Sequence, residues 1–342
     1  MHEALFYERL SDGRARCQLC AHGCVVGLGQ RGICGVRINQ AGVLHTLVYG
    51  QLVAEAVDPI EKKPLFHFFP GSGALSIATL GCNLACDFCQ NADISQAPRK
   101  GRPIAGRYAP PEAVVQVALR TASRSIAYTY TEPTVYAEYA LDVARLARSE
   151  GIASVWVTNG FMSPQLLEVA LNDPVGPLID AANVDLKAFT DAFYRQHCGA
   201  RLRPVLDNLV RLKRGGVWIE VTTLVIPGLN DGDDELQGIA AFVCNELGAD
   251  TPWHVSRFHP TYRLTDRPPT PAETVLRARE IGLAAGLSYV YVGNIPWADG
   301  ESTHCPSCRA AVIRRQGFSV VSDEAPGGVC QHCGARLAGV FV

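Results

Sequence analysis

The segment TLGCNLACDFCQN (79–91) puts Cys82, Cys86 and Cys89 within ten positions, spaced C-x3-C-x2-C. Thiolates are ligands for soft transition metals. A closed structural zinc site takes four ligands, and this loop supplies three. A cubane [4Fe–4S] cluster has four irons, each needing an outer ligand. Three thiolates from one loop wrap three corners and leave the fourth iron open. An open coordination position separates a reactive metal site from a structural one. The alternative is a zinc site that borrows a fourth ligand from elsewhere in the chain.

Ten further cysteines bring the total to thirteen. In a reducing compartment so many are metal ligands more readily than disulfides. Cys305, Cys308, Cys330 and Cys333 form two C-x2-C knuckles with 21 residues between them. That is a zinc-ribbon spacing, with a rubredoxin-like iron as the alternative metal. The surrounding segment has little apolar surface, so metal binding would supply its folding free energy. Near the N-terminus, Cys17, Cys20 and Cys24 form C-x2-C-x3-C, and Cys34 completes a set of four. His22 could substitute for one of them. This set suits either zinc or an auxiliary iron–sulfur cluster, and thiolates alone do not choose. Cys244, in IAAFVCNEL, reads as a small buried hydrophobe. Cys198, in FYRQHCGA, has no assigned role.

Between residues 74 and 295, short β-branched and aromatic runs alternate with amphipathic stretches. The strand candidates are 75–81, 125–131, 154–160, 181–188, 217–227, 252–259 and 288–295. A repeated βα order predicts a parallel sheet with helical crossovers. The fold class is therefore α/β, a partial or full TIM-like βα barrel, with an open doubly wound sheet as the competitor. Residues 1–73 form a cysteine-rich preface, 74–300 the barrel, and 301–342 a separate ribbon-like module. In either architecture function collects at the carboxyl ends of strands. The polar residues there are Tyr130, Thr131 and Glu132, then Thr158 and Asn159, then Asp185 and Lys187, and finally His259. A net charge of −2 without a basic run gives no sign of nucleic-acid backbone binding. No apolar run is long enough to span a membrane, and the first residues lack a signal-peptide apolar region. A cytoplasmic protein is expected.

The cysteine motif after the first strand, with Phe88 before its last cysteine, resembles the radical S-adenosylmethionine (SAM) superfamily. The branch it is most similar to contains activating enzymes of glycyl radical enzymes, such as pyruvate formate-lyase activase. More narrowly, CQLCAHGCVVGLGQRGICGVR, PLFHFFPG, YTYTEPT and VDLKAF resemble the radical enzymes of the AmmeMemoRadiSam system. The resemblance implies a [4Fe–4S] cluster on Cys82, Cys86 and Cys89, with SAM bound at the open iron. The cluster would cleave SAM reductively to a 5′-deoxyadenosyl radical that abstracts hydrogen from a substrate. It places Phe88 near the adenine and Glu132 on the methionine amino group. Thr158, Asn159, Asp185 and Lys187 would surround the carboxylate, and His259 would lie near the ribose. Tyr130 and Thr131 replace two glycines of the superfamily pattern. Val157 replaces an aspartate that helps hold a monovalent cation in the activase. The implied partners are a reductant such as flavodoxin or ferredoxin and a protein substrate, with AMMECR1-like or Memo-like proteins as candidates. Modification of a small molecule or RNA is the second reading. A zinc-dependent interaction protein, from another class, is the third.

Overall fold

The computed structural model describes residues 1–295 and 299–341. Its largest sheet has eight strands. They are β1 (Ala54–Pro59), β2 (Gly73–Ala78), β3 (Ser125–Tyr128), β4 (Ala153–Thr158), β5 (Ala181–Asp185), β6 (Trp218–Val225), β7 (Trp253–Arg257) and β8 (Val290–Gly293). β1 pairs antiparallel with β2. From β2 to β8 every pairing is parallel, and neighbours in sequence are neighbours in the sheet. A doubly wound sheet reverses its strand order at a switch point. This one never reverses, so the open doubly wound alternative is absent. β2 and β3 are buried at nearly every position, as parallel strands covered on both faces are.

Helical crossovers return each strand to the same edge. They include α1 (Pro111–Arg120), α2 (Ala137–Ser149), α3 (Pro164–Leu171), α4 (Leu202–Arg214), α5 (Asp233–Phe242) and α6 (Ala272–Ala284). Their starts follow from local chemistry. Ser163 Oγ accepts from Leu166 N at 3.1 Å, and Pro164 occupies the first turn of α3. Leu202, Val205, Leu209 and Leu212 of α4 recur at helical spacing and are buried. No helix among the described residues is long and apolar enough to cross a membrane.

Two expectations shift. The strand Ala54–Pro59 belongs to the main sheet, so a boundary at residue 73 cuts through it. Cys244 is half-buried, not buried. The rest of the N-terminal segment includes two three-stranded sheets. One of them docks through an ion pair between Arg37 and Glu138 of α2, both almost fully buried.

At the amino ends of the strands, residues 60–69 cross beneath the sheet. The fully buried Glu220 of β6 holds them there. Its carboxylate accepts from Phe66 N (3.0 Å), His67 N (2.7 Å), Trp218 Nε1 (3.1 Å) and His254 Nε2 (2.6 Å). Burial drives the His67 imidazole down to about 4, so it stays neutral between Tyr291 Oη (2.5 Å) and Ala338 O (2.7 Å).

The C-terminal module, β9 (Thr303–His304), β10 (Ala311–Gln316) and β11 (Ser319–Asp323), is a meander on its own small core. It is not free-standing. Arg315, fully buried, pairs with Glu61 at 3.4 Å and donates to Phe66 O at 2.7 Å. Val340 N donates to His67 O at 2.7 Å. Removing one member of a buried ion pair strands the other, at a cost of about 3–5 kcal/mol. Arg315→Met is expected to lower stability to chemical denaturation by that amount. The double variant Arg315→Met/Glu61→Gln should recover a good part of it. An Arg315→Met midpoint equal to the parent's would show that the pair does not anchor the module.

Candidate active site

The cysteine loop leaves the carboxyl end of β2 through Gly81, whose φ is +102°. A Cβ there would lie 2.7 Å from Val36 Cγ1 and 3.3 Å from Cys34 O, so only glycine lets the N-terminal segment pack this close. A helical turn, Tyr194–Cys198, backs the loop. Ala85 N donates to Cys198 O (2.8 Å) and Asp87 N to His197 O (3.0 Å). Arg99 Nη2 donates to the carbonyls of Cys82 (3.1 Å) and Asn83 (2.8 Å). Held this way, Cys82, Cys86 and Cys89 all line one cavity of about 1150 Å³. That exceeds the roughly 300–1,000 Å³ of ordinary ligand pockets.

Cys198 now has a place. It lies against Cys86, and the hydrogen bond it donates is the main influence holding the Cys86 thiol below its ordinary range; burial opposes it and Lys187 assists. Burial pushes the Cys82 and Cys89 thiols up instead. Cys89 Sγ lies 3.2 Å from Ser95 Oγ.

Glu132 is buried where β3 runs into the next turn. Its Oε1 accepts from Thr134 N (3.0 Å), Thr134 Oγ1 (2.5 Å) and Thr158 Oγ1 (2.7 Å). Its Oε2 accepts from Asn159 N at 2.8 Å. Burial raises the Glu132 carboxyl above the usual range, against the pull of these donors. Asn159 Nδ2 reaches Asn83 Oδ1 (2.8 Å) and Cys82 Sγ (3.7 Å). Tyr130, where the resemblance implies glycine, has a left-handed φ of +63°, and Asn91 Nδ2 donates to its carbonyl at 2.8 Å. Lys187 Nζ pairs with Asp185 at 2.8 Å and lies 5.8 Å from the centre of the Phe88 ring. Burial works against its charge, but Asp185 and the sulfurs of Cys86 and Cys198 outweigh it.

The structure therefore brings Phe88, Glu132, Thr158, Asn159, Asp185 and Lys187 to the same cavity as the three cysteines. His259 is exposed and lies outside that lining. β7 instead presents His254 and Ser256. Alternation along PWHVSRFH marks these two as sharing a face, a signal that attention to strand ends passes over. Lys62 and Lys63 also line the cavity and pair with Asp58 at 2.8 and 2.6 Å, and Tyr130 donates to the same carboxylate.

The tail knuckles repeat one pattern. Cys305 N donates to Ala310 O and Cys330 N to Ala335 O, at 2.8 and 2.9 Å. Cys305 and Cys333 sulfurs are 3.6 Å apart, Cys308 and Cys330 3.7 Å, and all four lie within 4.8 Å of one another. Metal–sulfur bonds of about 2.3 Å put tetrahedral sulfurs about 3.8 Å apart, so the set fits one ion. Cys17, Cys20, Cys24 and Cys34 line a different, smaller cavity.

The radical SAM superfamily pattern matches residues 76–242. Residues 76–242 are thereby a domain of the radical SAM superfamily. It is 45% identical over 339 residues to an uncharacterized protein of Methanocaldococcus jannaschii, covering 98% of this chain and 99% of that one. Pyruvate formate-lyase 1-activating enzyme of Escherichia coli is 25% identical over 169 residues, 47% of this chain and 65% of that one. Among solved structures, Streptococcus suis SuiB bound to its precursor peptide SuiA is similar in fold, with a TM-score of 0.50 and 12% identity. That match covers 69% of this chain and 51% of SuiB. Superfamily membership implies an enzyme with a [4Fe–4S] cluster, SAM and a reductant, which sets aside the zinc-only interaction protein. The donor set fits. Three sulfurs from one loop face a cavity to which the Lys187 ammonium, the Glu132 and Asp185 carboxylates and the Thr158 hydroxyl also contribute.

Glu132→Ala would leave the Thr134 and Asn159 amides and two threonine hydroxyls without their acceptor. A buried donor left unpaired costs about 1–3 kcal/mol. Urea denaturation is expected to show a loss of that order with an unchanged slope. A parental midpoint would show that the four bonds do not organise this wall.

Proposed function

We propose that Cys82, Cys86 and Cys89 hold the [4Fe–4S] cluster through three irons, and that the chain acts within the AmmeMemoRadiSam branch on a protein or other macromolecular partner. The observation that carries the reading is the convergence of three sulfurs and the polar strand ends on one cavity. When bound, the cluster supplies one electron that breaks a carbon–sulfur bond of SAM and so generates a hydrogen-abstracting radical. This chain's residues bind and orient. Glu132 Oε2 takes a single donor from the chain, and its remaining capacity suits the methionine ammonium. Thr158, Asn159, Asp185 and Lys187 form the wall for the carboxylate, and Phe88 the apolar surface for the adenine. The sheet is read as a partial barrel around this site. Residues 60–69 keep water from its floor, which protects reactive species from side reactions.

A macromolecular substrate is supported by the similarity to activating enzymes. The β10–β11 hairpin tip adds to this, since Gln316, Gly317 and Phe318 reach the cavity lining while Phe318 stays half-exposed. AMMECR1-like and Memo-like proteins are candidate substrates, and flavodoxin or ferredoxin the candidate reductant. A small-molecule substrate is the second reading, favoured by the floor that Phe66 closes. Zinc is proposed for the tail cysteines, and the cytoplasm for the setting.

In anaerobically reconstituted protein, Cys82→Ala, Cys86→Ala and Cys89→Ala should each abolish formation of 5′-deoxyadenosine from SAM. Near-parental cleavage by any of them would overturn the assignment.

Cys305→Ser and Cys330→Ser should each release the tail zinc and leave the absorbance of the three-cysteine cluster in place. Loss of that absorbance would show that the two cysteine sets do not act separately.

A further inference from the structure

Two histidines sit at the floor of the large cavity, and they are used differently. His67 spends both ring nitrogens, on Ala338 O (2.7 Å) and Tyr291 Oη (2.5 Å), and lies outside the cavity lining. His254 belongs to the lining. Its Nε2 is spent on Glu220 at 2.6 Å. Among the described residues nothing bonds its Nδ1, and that nitrogen is not sealed in protein. The rest of the ring is buried, with 3% exposure for the whole residue, so Nδ1 opens onto the cavity. A histidine that served only to brace the floor would need no open nitrogen.

The surroundings fix what that nitrogen offers. Burial would raise the Glu220 carboxyl, but the bond from His254, the two imidazoles and Phe66 N hold it below the usual range. Glu220 is therefore an anion that accepts, and Nε2 is the ring nitrogen that carries the hydrogen. The Nδ1 lone pair is left facing the cavity. Phe66 packs edge-on against the ring at 4.7 Å, and Tyr291 stacks on it at 5.1 Å. The imidazole is held in this orientation from three sides.

Ser256 stands two residues on, on the same inward face of β7. Its hydroxyl has no hydrogen-bond partner among the described residues and is not sealed either. A Cβ at Gly293 would lie 2.9 Å from Ser256 Oγ, so glycine there keeps the hydroxyl clear. An open acceptor nitrogen and an open hydroxyl thus sit side by side, about 7 Å apart along the strand. An ammonium brings donors only, and a carboxylate acceptors only. A hydroxyl oxygen both donates and accepts, and it meets both partners. The pair also lies close to the polar strand ends. Asp185 of β5 is opposite Thr222 of β6, and Thr222 is opposite His254 of β7. Strands lie about 4.8 Å apart, which puts His254 about 10 Å across the sheet from Asp185.

We propose that His254 and Ser256 are the substrate-binding pair of this cavity, and that the group they take is a substrate hydroxyl. The hydroxyl donates to His254 Nδ1 and accepts from Ser256 Oγ, with the Phe66 ring against the adjoining carbon atoms. Glu220 is the positioning residue that fixes the imidazole. The inference rests on the function proposed above, which gives Asp185 and its neighbours to the cofactor. It adds the class of substrate, a hydroxyl borne by a protein side chain or by a small polyol.

The test uses the full chain, reconstituted anaerobically and supplied with SAM and dithionite. The probes are carbon-deuterated glycerol and the peptide acetyl-Gly-Ser-Gly-amide with carbon-deuterated serine. Mass spectrometry reads the deuterium carried into each 5′-deoxyadenosine formed. His254→Gln keeps a donor for Glu220 but lacks the open acceptor. Its label should fall about tenfold, the loss of one hydrogen bond, and Ser256→Ala should lower the label as well. Equal label in the parent and His254→Gln overturns the site, as does equal label from glycerol and its trimethyl ether. A parent that cleaves SAM without label from either probe overturns it too. More label from the peptide than from glycerol supports the site with a protein side chain as its ligand, and the reverse supports it with a small polyol. Nitrogen NMR of the histidine-labelled chain without SAM decides independently of cleavage. The His254 ring, assigned by its absence in His254→Gln, should show an unprotonated Nδ1 at neutral pH that responds to glycerol and not to the ether. A protonated Nδ1, or an equal response to acetamide, overturns the proposal. A parent that forms no 5′-deoxyadenosine but keeps the glycerol response overturns the proposed function and leaves the hydroxyl site standing.

Discussion

The carboxylate of Glu132 is the constraint on which the cavity wall depends. A buried carboxylate is tolerable only when its lone pairs are met, and here four donors meet them. Two come from Thr134, just beyond Glu132, and two from Thr158 and Asn159 at the end of β4. The carboxylate therefore fixes two strand ends relative to each other. Asn159 carries the constraint onward to Asn83 and Cys82. Asn83 carries it to Phe161 O and His22. A single polar network thus runs from the cavity wall through the cysteine loop to the N-terminal segment.

Glu220 does the opposite task at the other end of the sheet. It gathers the backbone of Phe66 and His67 and the ring of His254, and so closes the floor. The C-terminal module then attaches to the floor through Arg315 and Val340. Buried ion pairs contribute little net stability once desolvation is counted, but they are costly to break singly. Arg37–Glu138 and Arg315–Glu61 fit that pattern. Each fastens a peripheral segment to the α/β unit at one place, and each brings that segment's cysteines or hairpin tip to a defined position.

Much of this was legible in the chain before folding. The βα alternation, the three-cysteine loop and the tail knuckles rest on local spacing, and all reappear. Six of the seven expected cofactor residues reach the cavity. His259 does not, because the alternation of β7 turns His254 and Ser256 inward and His259 lies beyond the last paired residue. The role of Tyr130 was hidden for a different reason. Its type argues against a left-handed turn, and only the surrounding bonds hold it there.

By itself the sequence determined what short-range geometry controls. A loop of ten residues confines three thiolates, a knuckle confines two, and a period of two or 3.6 selects strand or helix. The tertiary structure decided which distant groups meet. Cys198 against Cys86, Arg37 on Glu138, and Arg315 on Glu61 join residues far apart in the chain. No local spacing encodes those contacts, because they follow from packing whole elements around buried charges that must each find a partner.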